Sequence, residues 1–241
     1  MKQNETRVRV AQRSKKSTKH FSSKQAEIGS KATARYSTRT KKLMFNTLVK
    51  TNVFCYHHHM EELWQLYSEQ GVRLEGKGAT KDVVFNNGLL HAASHVWIWR
   101  KNGTELEVLL QKRAATKRTW PNRLDISAAG HVNLGEEPLQ AALREIREEI
   151  GLKICPDQLD MIERVKTYMR AENGAIEYEF QWIYLLKLPV EFHFELQQEE
   201  VDSLIWKKLD DFKSEFESEL YVPHTKQYYL NVVSAIMIRN Y

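Results

Sequence analysis

The chain of 241 residues has an ordinary globular composition, with 42% hydrophobic residues, 28% charged residues and two cysteines. This composition argues against a fibrous or wholly disordered protein, and nothing about the context of Cys55 and Cys155 suggests a disulfide framework or a four-ligand zinc site. The N-terminus lacks the apolar core of a secretory signal, and no run of about 18 uncharged apolar residues is present. These features favour a reducing, cytoplasmic location and argue against a membrane-associated protein.

The net charge of +5 is unevenly distributed along the chain. Residues 1–50 hold 14 Lys and Arg against Glu5 and Glu27, a balance of +12, which leaves −7 for the remainder. Residues 1–45 contain few large apolar side chains, so they cannot bury enough surface to offset the entropy cost of folding. We expect a basic, disordered extension there. Three roles for it stay open: an organelle-targeting segment, an arm that binds nucleic acid, or an extension from a misassigned start.

Residues 46–88 are predicted to form a connector followed by a hairpin. Met60 opens the segment MEELWQLYSEQGVRL, which is typical of the start of a compact domain and motivates the misassigned-start hypothesis. The apolar residues from Leu63 to Tyr67 predict one strand, and the segment that begins at Val72 predicts its partner after a glycine turn.

Residues 89–240 are predicted to form the main domain, which begins with a second hairpin. Its strands lie near His95–Arg100 and Glu105–Gln111, and the Asn-Gly pair between them is a strong hairpin signal. The second strand leads into AATKRTWPNRLDIS, a basic loop whose cations are suited to hold a polyphosphate. We select Arg113 as the substrate-binding residue, because a residue at the end of a strand has a better-defined position than one in mid-loop.

The next segment occupies residues 130–152 and reads GHVNLGEEPLQAALREIREEIGL. It predicts a loop followed by one helix that ends at Gly151. No glycine interrupts it between Glu137 and Ile150. Pro138 falls in the first helical turn, where the missing amide hydrogen costs no hydrogen bond, and Gly151 ends the helix.

One face of this predicted helix is apolar and another is acidic. At about 100° of rotation per residue, Glu145, Glu148 and Glu149 fall on the same side. Carboxylates at this spacing repel one another unless counter-charges intervene. A divalent cation that prefers oxygen ligands, Mg²⁺ or Mn²⁺, would relieve the repulsion. The alternative is a solvated acidic face balanced by Arg144 and Arg147.

The segment resembles the signature box of the Nudix hydrolases at every specified position, namely Gly130, Glu136, Arg144-Glu145, Ile146, Glu148-Glu149 and Gly151-Leu152. The resemblance implies an α/β fold, an α/β/α sandwich with a mixed central sheet. It also implies a Mg²⁺-dependent pyrophosphohydrolase that cleaves a diphosphate linkage in a nucleoside diphosphate joined to another moiety.

The same resemblance implies roles for individual residues. The metal ligands would be Glu145, Glu148, Glu149 and the carbonyl of Gly130. The catalytic residues would be Arg144, Glu148 and Glu149, with Arg144 orienting the carboxylates. Glu136 would brace the loop.

The runs LLQKR and WPNRLDISAAGHV are also similar to the isopentenyl-diphosphate isomerases, which share the Nudix fold but protonate a carbon–carbon double bond. In those enzymes a cysteine stands just before the Gly-His pair, where this chain has Ala129. Alanine can neither donate nor accept a proton, so this acid–base partner is missing. We therefore predict hydrolysis, with an isomerase-like enzyme and a non-catalytic module that binds nucleotide or RNA as alternatives. His131 is expected to stabilise the loop rather than to bind metal.

The remaining segments complete the predicted sheet. Three strands are predicted, at Met161–Arg170, Ile176–Leu186 and Val201–Trp206. Glu199 and Glu200 precede the last of them, so either is placed to join the metal cluster or to act as the base that activates water. A solvated acidic loop is the equal alternative.

The C-terminal segment predicts a closing helix, because an apolar stripe runs from Tyr228 to Met237. A homodimer contact through this helix stays open. The predicted partner is a small-molecule diphosphate, but nothing in the sequence identifies the group attached to it.

Overall fold

The structure is a computed structural model, and it describes residues 62–240. The predictions for residues 1–45 and for a start at Met60 therefore lie outside the described part of the chain. The described residues form a mixed α/β fold with a two-stranded hairpin, a seven-stranded sheet and four α-helices. None of these four helices is both long and apolar enough to cross a membrane.

The hairpin comes first in the described chain. Its strands β1 (Leu63–Tyr67) and β2 (Arg73–Thr80) pair antiparallel, and the short helix α1 (Lys81–Asn87) follows directly. The hairpin packs onto the rest of the molecule through Trp64, whose ring meets that of Phe85 edge-on at 5.3 Å. The sequence predicts both strands, but it does not predict α1.

The central sheet contains β3 (His91–Asn102), β4 (Glu105–Arg113), β5 (Leu124–Asp125), β6 (Ala128–His131), β7 (Leu159–Arg170), β8 (Ile176–Lys187) and β9 (Val201–Lys208). The strand order is β5-β4-β3-β8-β7, with β6 also pairing with β3 and β9 with β4. Strand β3 runs parallel to β8, and the other pairs are antiparallel. The mixed central sheet predicted from the resemblance is confirmed.

Helices cover both faces of this sheet, and β3 contributes to both cores because its side chains alternate. On one face, Val96 and Ile98 belong to the core that also contains Ala142, Ile146 and Ile150 of α2 (Pro138–Ile150). On the other face, Trp97 and Trp99 belong to the core formed with α3 (Leu209–Glu215) and α4 (Lys226–Arg239). The result is a sandwich in which α2 is held rigidly beside the sheet.

The ends of α2 follow the signals in its sequence. Pro138 is the first helical residue, and the Glu137 amide donates a hydrogen bond to Gln140 Oε1 at 2.9 Å. Gly151 ends the helix with a φ of 75°, a left-handed conformation that glycine adopts without strain. Because both ends are defined, the glutamates in the last two turns have fixed positions.

Candidate active site

The acidic face of α2 lines a cavity of about 210 Å³ next to β6. Glu145, Glu148 and Glu149 all border this cavity, and so do Gly130 and Arg144. The structure therefore brings the residues predicted to bind metal, together with the predicted catalytic arginine, to one place.

Glu149 is the most deeply buried carboxylate of this cavity, with 3% of its surface exposed. Its Oε2 accepts a hydrogen bond from the backbone amide of Ala129 at 3.0 Å. Burial, with the nearby carboxylate of Glu145 as a second cause, raises the pKa of Glu149 to about 8. The protein alone therefore disfavours the ionised form of Glu149, and a bound cation would stabilise that form.

Glu145 lies directly over the backbone of Gly130. A Cβ atom built on Gly130 would overlap the carboxylate of Glu145, so only glycine allows this approach. Burial also raises the pKa of Glu145, although the adjacent Arg144 opposes the shift. The position of Gly130 in the sequence box therefore has a steric reason in this structure.

Arg144 connects the loop before α2 to the acidic face of the helix. Its guanidinium donates two hydrogen bonds to the carboxylate of Glu136, both at 2.9 Å, and a third to Glu145 Oε1 at 2.6 Å. Glu148 accepts a longer one at 3.3 Å. Glu136 in turn accepts a hydrogen bond from the amide of Asn133 at 2.9 Å. This network holds the carboxylates in a fixed arrangement, as the predicted orienting role of Arg144 requires.

Two lysines face the carboxylates across the cavity. Lys81 and Lys117 both border it, and burial lowers the pKa of each. The ammonium group of Lys117 forms an ion pair with Glu200, which also borders the cavity. Of the two loop glutamates named from the sequence, Glu200 is therefore the one at the site, whereas Glu199 does not border the cavity.

Arg113 lies outside the lining of this cavity. Its guanidinium donates to Asp125 Oδ2 at 2.8 Å and to the carbonyl oxygen of Thr119 at 2.9 Å. These contacts fix the basic loop that carries Lys117. Substrate binding by Arg113 stays a prediction, and the structure shows a loop-holding contact that the sequence did not reveal.

A second cluster that could hold a cation lies on the neighbouring strands. In the described part of the chain, His91, His131 and Glu179 form the one His/Cys/Asp/Glu group whose ligand atoms all lie within 4.8 Å of one another. Nε2 of His91 and of His131 lie 3.3 Å and 3.7 Å from Glu179 Oε2. The ring of Trp64 stacks on that of His131 at 3.5 Å. His131 therefore packs on Trp64 and also lies beside His91 and Glu179, the two other potential metal ligands.

Sequence reasoning missed this cluster. His91 begins a strand of buried residues, and Glu179 lies within a run of aromatic and aliphatic residues. Polar residues at such positions are a weak signal, because most buried imidazoles and carboxylates only satisfy one another. The pairing of β3 with β6 and β8 brings the three residues together.

The region of the chain that carries this fold matches a known family. The sequence profile of the NUDIX domain matches residues 89–228. The chain therefore belongs to the Nudix family, as the signature box predicts.

Relatives and solved structures agree with this assignment. Nudix hydrolase 3 of Arabidopsis thaliana is 32% identical over 171 residues, which cover 68% of this chain and 22% of that relative. An uncharacterised Nudix hydrolase of Clostridium acetobutylicum is 32% identical over 152 residues, which cover 63% of this chain and 72% of the relative. A solved structure from Deinococcus radiodurans, 16% identical, matches with a TM-score of 0.55 over 70% of this chain and 98% of that one, which shows the fold.

The predicted similarity to the isomerases is confirmed as well. The isopentenyl-diphosphate Delta-isomerase of Aliivibrio fischeri is 30% identical over 161 residues, which cover 66% of this chain and 87% of that protein. The family match and the hydrolase relatives together support a pyrophosphohydrolase enzyme. The chain spans only about a fifth of the Arabidopsis relative, so that relative's full organisation does not carry over.

Proposed function

We propose that this chain hydrolyses a diphosphate linkage in a nucleoside diphosphate joined to another moiety, with Mg²⁺ as its cation and Mn²⁺ as a substitute. Membership of the Nudix family supports the reaction class. The observation that carries the proposal is the geometry of the cavity, where Gly130 and the box glutamates converge and the buried carboxylate of Glu149 lies beside that of Glu145. Such a pair is stabilised when a cation replaces the proton.

The donor set of the cavity fits a hard divalent cation. Glu145, Glu148 and Glu149 offer carboxylate oxygens and Gly130 offers a carbonyl oxygen, which are the ligand types that Mg²⁺ prefers. When bound, the cation would polarise the phosphoryl oxygens, lower the pKa of water and neutralise charge on the leaving phosphate. The cluster of His91, His131 and Glu179 offers imidazoles, which suit transition metals better than Mg²⁺.

The side chains around the cavity supply the other requirements of the reaction. Arg144 keeps the carboxylates in place, and Lys117 faces them, where it can contact phosphate oxygens of the substrate as a point charge. Arg113 and Lys117 are the two candidates for substrate contact, and Lys117 is the one that borders the cavity. Either a glutamate of the box or Glu200 accepts the proton of the attacking water.

The test replaces Glu149 by glutamine, which keeps the shape of the side chain and removes its charge. We expect Mg²⁺-dependent hydrolysis to fall at least about a hundredfold, because the residue combines charge stabilisation with proton transfer. The substrate panel contains capped RNA, nucleotide sugars, dinucleoside polyphosphates, oxidised nucleotides and coenzymes, each assayed with Mg²⁺ and with Mn²⁺. Glu191→Gln, in an exposed position before β9, is the control that should keep full activity.

Turnover by Glu149→Gln within a few-fold of the unchanged protein would contradict the assignment of Glu149. Circular dichroism should show the same fold for both variants. If the unchanged protein hydrolyses no member of the panel, the hydrolase proposal itself is wrong.

Similarity to relatives named isopentenyl-diphosphate Delta-isomerase supports a second candidate, an isomerase-like activity. The structure offers an imidazole and carboxylate cluster close to the Gly-His pair, but Ala129 supplies no group that can transfer a proton. Incubation of the purified protein with isopentenyl diphosphate distinguishes the two candidates. Conversion to the allylic isomer would favour the isomerase, and recovery of unchanged isopentenyl diphosphate would exclude it.

A further inference from the structure

A buried amide in the hairpin contacts the loop that precedes α2. Gln65 of β1 has no exposed surface, although its side chain is polar. It comes before residue 89, where the match to the family profile begins. Neither Gln65 nor its neighbour Arg73 of β2 lines the active-site cavity, so the proposed reaction gives these two side chains no direct role.

The orientation of the Gln65 amide is fixed by its partners. Its Nε2 donates hydrogen bonds to the carbonyl oxygens of Leu74 at 2.8 Å and Lys77 at 3.2 Å, both on β2. Its Oε1 accepts hydrogen bonds from Arg73 Nε at 3.2 Å and from the backbone amide of Gly135 at 3.3 Å. Carbonyl oxygens only accept and these N–H groups only donate, so the reverse orientation is excluded. One end of the side chain therefore contacts the hairpin strand, and the other end contacts the loop.

Arg73 extends this contact to the start of α2. Its guanidinium donates a hydrogen bond to the carboxylate of Glu137, the residue that caps the helix. Gly135 and Glu137 are the two residues on either side of Glu136, and both are held from the hairpin. We call the pair of Gln65 and Arg73 the hairpin clamp.

Glu136 is the first member of the hydrogen-bond network of the active site. Its carboxylate accepts two hydrogen bonds from Arg144, both at 2.9 Å, and Arg144 donates in turn to Glu145 and Glu148. A displacement of the loop would therefore move Glu136 and, through Arg144, the carboxylates that are proposed to bind the cation. The hairpin clamp holds the loop on both sides of this residue.

We infer that the hairpin clamp is a positioning device for the reaction. Gln65 and Arg73 set the position of Glu136 and, through Arg144, the geometry of the carboxylates. This inference rests on the proposed function for the reaction that the carboxylates perform. It adds two positioning residues from a hairpin that precedes the region matched by the family profile. The alternative is that both side chains only hold β1 against β2.

Two substitutions of Gln65 separate these roles. Gln65→Met keeps the approximate volume of the side chain and removes both ends of the amide. Gln65→Glu keeps an oxygen that faces Arg73 and Gly135, and it removes only the N–H donors to β2. Both variants should lose thermal stability, because β2 loses the hydrogen bonds from Nε2 in each of them.

Of these two variants, only Gln65→Met should impair catalysis. We expect its kcat to fall at least about tenfold at an unchanged KM, because a displaced reacting group slows the reaction without weakening substrate binding. Gln65→Glu should retain most of the kcat. Steady-state kinetics with a substrate from the panel provide the measurement.

Arg73 provides a second variant and a matched control. Arg73→Met, at a partly exposed position, should lower kcat severalfold, and it keeps the test available if Gln65→Met does not fold. Glu75 is the exposed neighbour on β2 that also pairs with Arg73, at 3.5 Å. Glu75→Gln removes that pair and leaves the clamp in place, so it should change neither kcat nor Tm.

Hydrogen exchange of the Gly135 amide tests the clamp without any hydrolysis. It is measured by NMR in the absence of substrate and cation. Exchange should be at least about fivefold faster in Gln65→Met than in the unchanged protein, because the amide loses its acceptor. It should stay slow in Gln65→Glu, which keeps an acceptor oxygen. Gly135→Ala retains the amide hydrogen, so that substitution leaves this contact in place.

The outcomes distinguish this inference from the hydrolase proposal. If the unchanged protein hydrolyses a member of the panel, an unchanged kcat in Gln65→Met, equal losses of kcat in Gln65→Met and Gln65→Glu, or unchanged exchange of Gly135 in Gln65→Met would each overturn the inference alone. If the unchanged protein hydrolyses no member of the panel, the proposed function is wrong, and the positioning role falls with it.

Discussion

Gly130 shows how one residue without a side chain organises the site. The backbone of β6 passes so close to α2 that a Cβ atom at this position would overlap the Glu145 carboxylate. Any other residue must push that carboxylate away from the cavity or shift the strand. The requirement for glycine is therefore steric, and it concerns the geometry of the carboxylates rather than the stability of a turn.

Gly130→Ala should accordingly impair the reaction more than the fold. We expect kcat to fall at least about tenfold, because displacements of about 1 Å at a reacting centre have effects of this size or larger. Gly135→Ala, in the loop that follows β6, is the control: a Cβ there meets no atom within 4 Å, but the φ of 87° is strained for alanine. That variant should lose thermal stability and keep its kcat. Similar kcat values for Gly130→Ala and the unchanged protein would contradict the steric argument.

Glu149 makes both stability and metal binding depend on pH. Burial and the neighbouring Glu145 raise the pKa of Glu149 from its ordinary value of 4.5 to about 8. The folded protein therefore binds this proton more tightly than the unfolded chain does. Protonation of Glu149 therefore stabilises the folded state. This stabilisation is complete below about pH 4.5 and is lost as the pH rises through about 8.

From this we predict that Mg²⁺ stabilises the protein more at high pH than at low pH. A cation binds the ionised carboxylate, so at low pH it must first displace the proton. The increase in Tm on adding Mg²⁺ should be larger at about pH 8.5 than at about pH 6, as a thermal-shift titration would measure. In Glu149→Gln, which cannot ionise there, the increase should be smaller and nearly independent of pH. The same increase at both pH values in the unchanged protein would be evidence against a cation at Glu149.

At the scale of elements, local signals in the sequence predict the structure closely. The sequence predicts a helix from Glu137 to Ile150, and α2 runs from Pro138 to Ile150. It predicts a strand over Ile176–Leu186, and β8 extends only one residue further. Proline, glycine and hydrophobic periodicity act over a few residues, so they can be detected without knowledge of the fold.

Strand pairing depends on contacts between residues far apart in the chain, and the sequence does not predict it. The parallel pairing of β3 with β8 and the antiparallel pairing of β3 with β6 place His91, Glu179 and His131 together. The box carboxylates could be predicted because one helix turn carries them all. The His/Glu cluster could not, because it is assembled from separate strands.

For the basic loop between β4 and β5, the sequence alone does not show which cation reaches the cavity. Substitutions of Arg113 and Lys117 test this. Arg113, the last residue of β4, is held by Asp125 of β5, whereas Lys117 borders the cavity. Lys117→Met should raise KM for the diphosphate substrate severalfold with little change in Tm, because it removes a phosphate contact. Arg113→Met should mainly lower stability, by about 1.5–3 kcal/mol, because the buried Asp125 carboxylate loses its charged partner and keeps only the Ile126 amide and the His224 ring.

Steady-state kinetics and thermal denaturation of both variants separate these roles. If Arg113→Met raised KM at an unchanged Tm, the substrate-binding role predicted from the sequence would hold for Arg113. If Lys117→Met left KM unchanged, the cavity lysine would have no part in substrate binding.

At the scale of the whole molecule, the hairpin β1–β2 belongs to the catalytic body although it precedes the region matched by the family profile. Trp64 of β1 is 3% exposed, borders the active-site cavity and stacks on His131. The backbone amide of Gln65 donates a hydrogen bond to the carbonyl oxygen of Val132 at 2.9 Å. Val132 lies at the start of the loop that leads from β6 to α2. The domain division proposed at residue 89 stays a prediction, and these contacts argue that a catalytic unit has to include the hairpin.

Trp64→Ala should therefore destabilise the molecule and loosen the hairpin at the same time. Loss of a buried indole costs roughly 3–5 kcal/mol, so a large decrease in Tm is expected. Limited proteolysis below the Tm should cut the hairpin faster than in the unchanged protein, since the buried indole is one of the contacts that hold β1 against the rest of the fold. Leu63→Ala on the same strand is the matched control, because Leu63 is 38% exposed and its loss should change both measurements little. If the two variants showed the same Tm and the same cleavage rate, the hairpin would not be part of the cooperative unit, and the cavity would have to be complete without it.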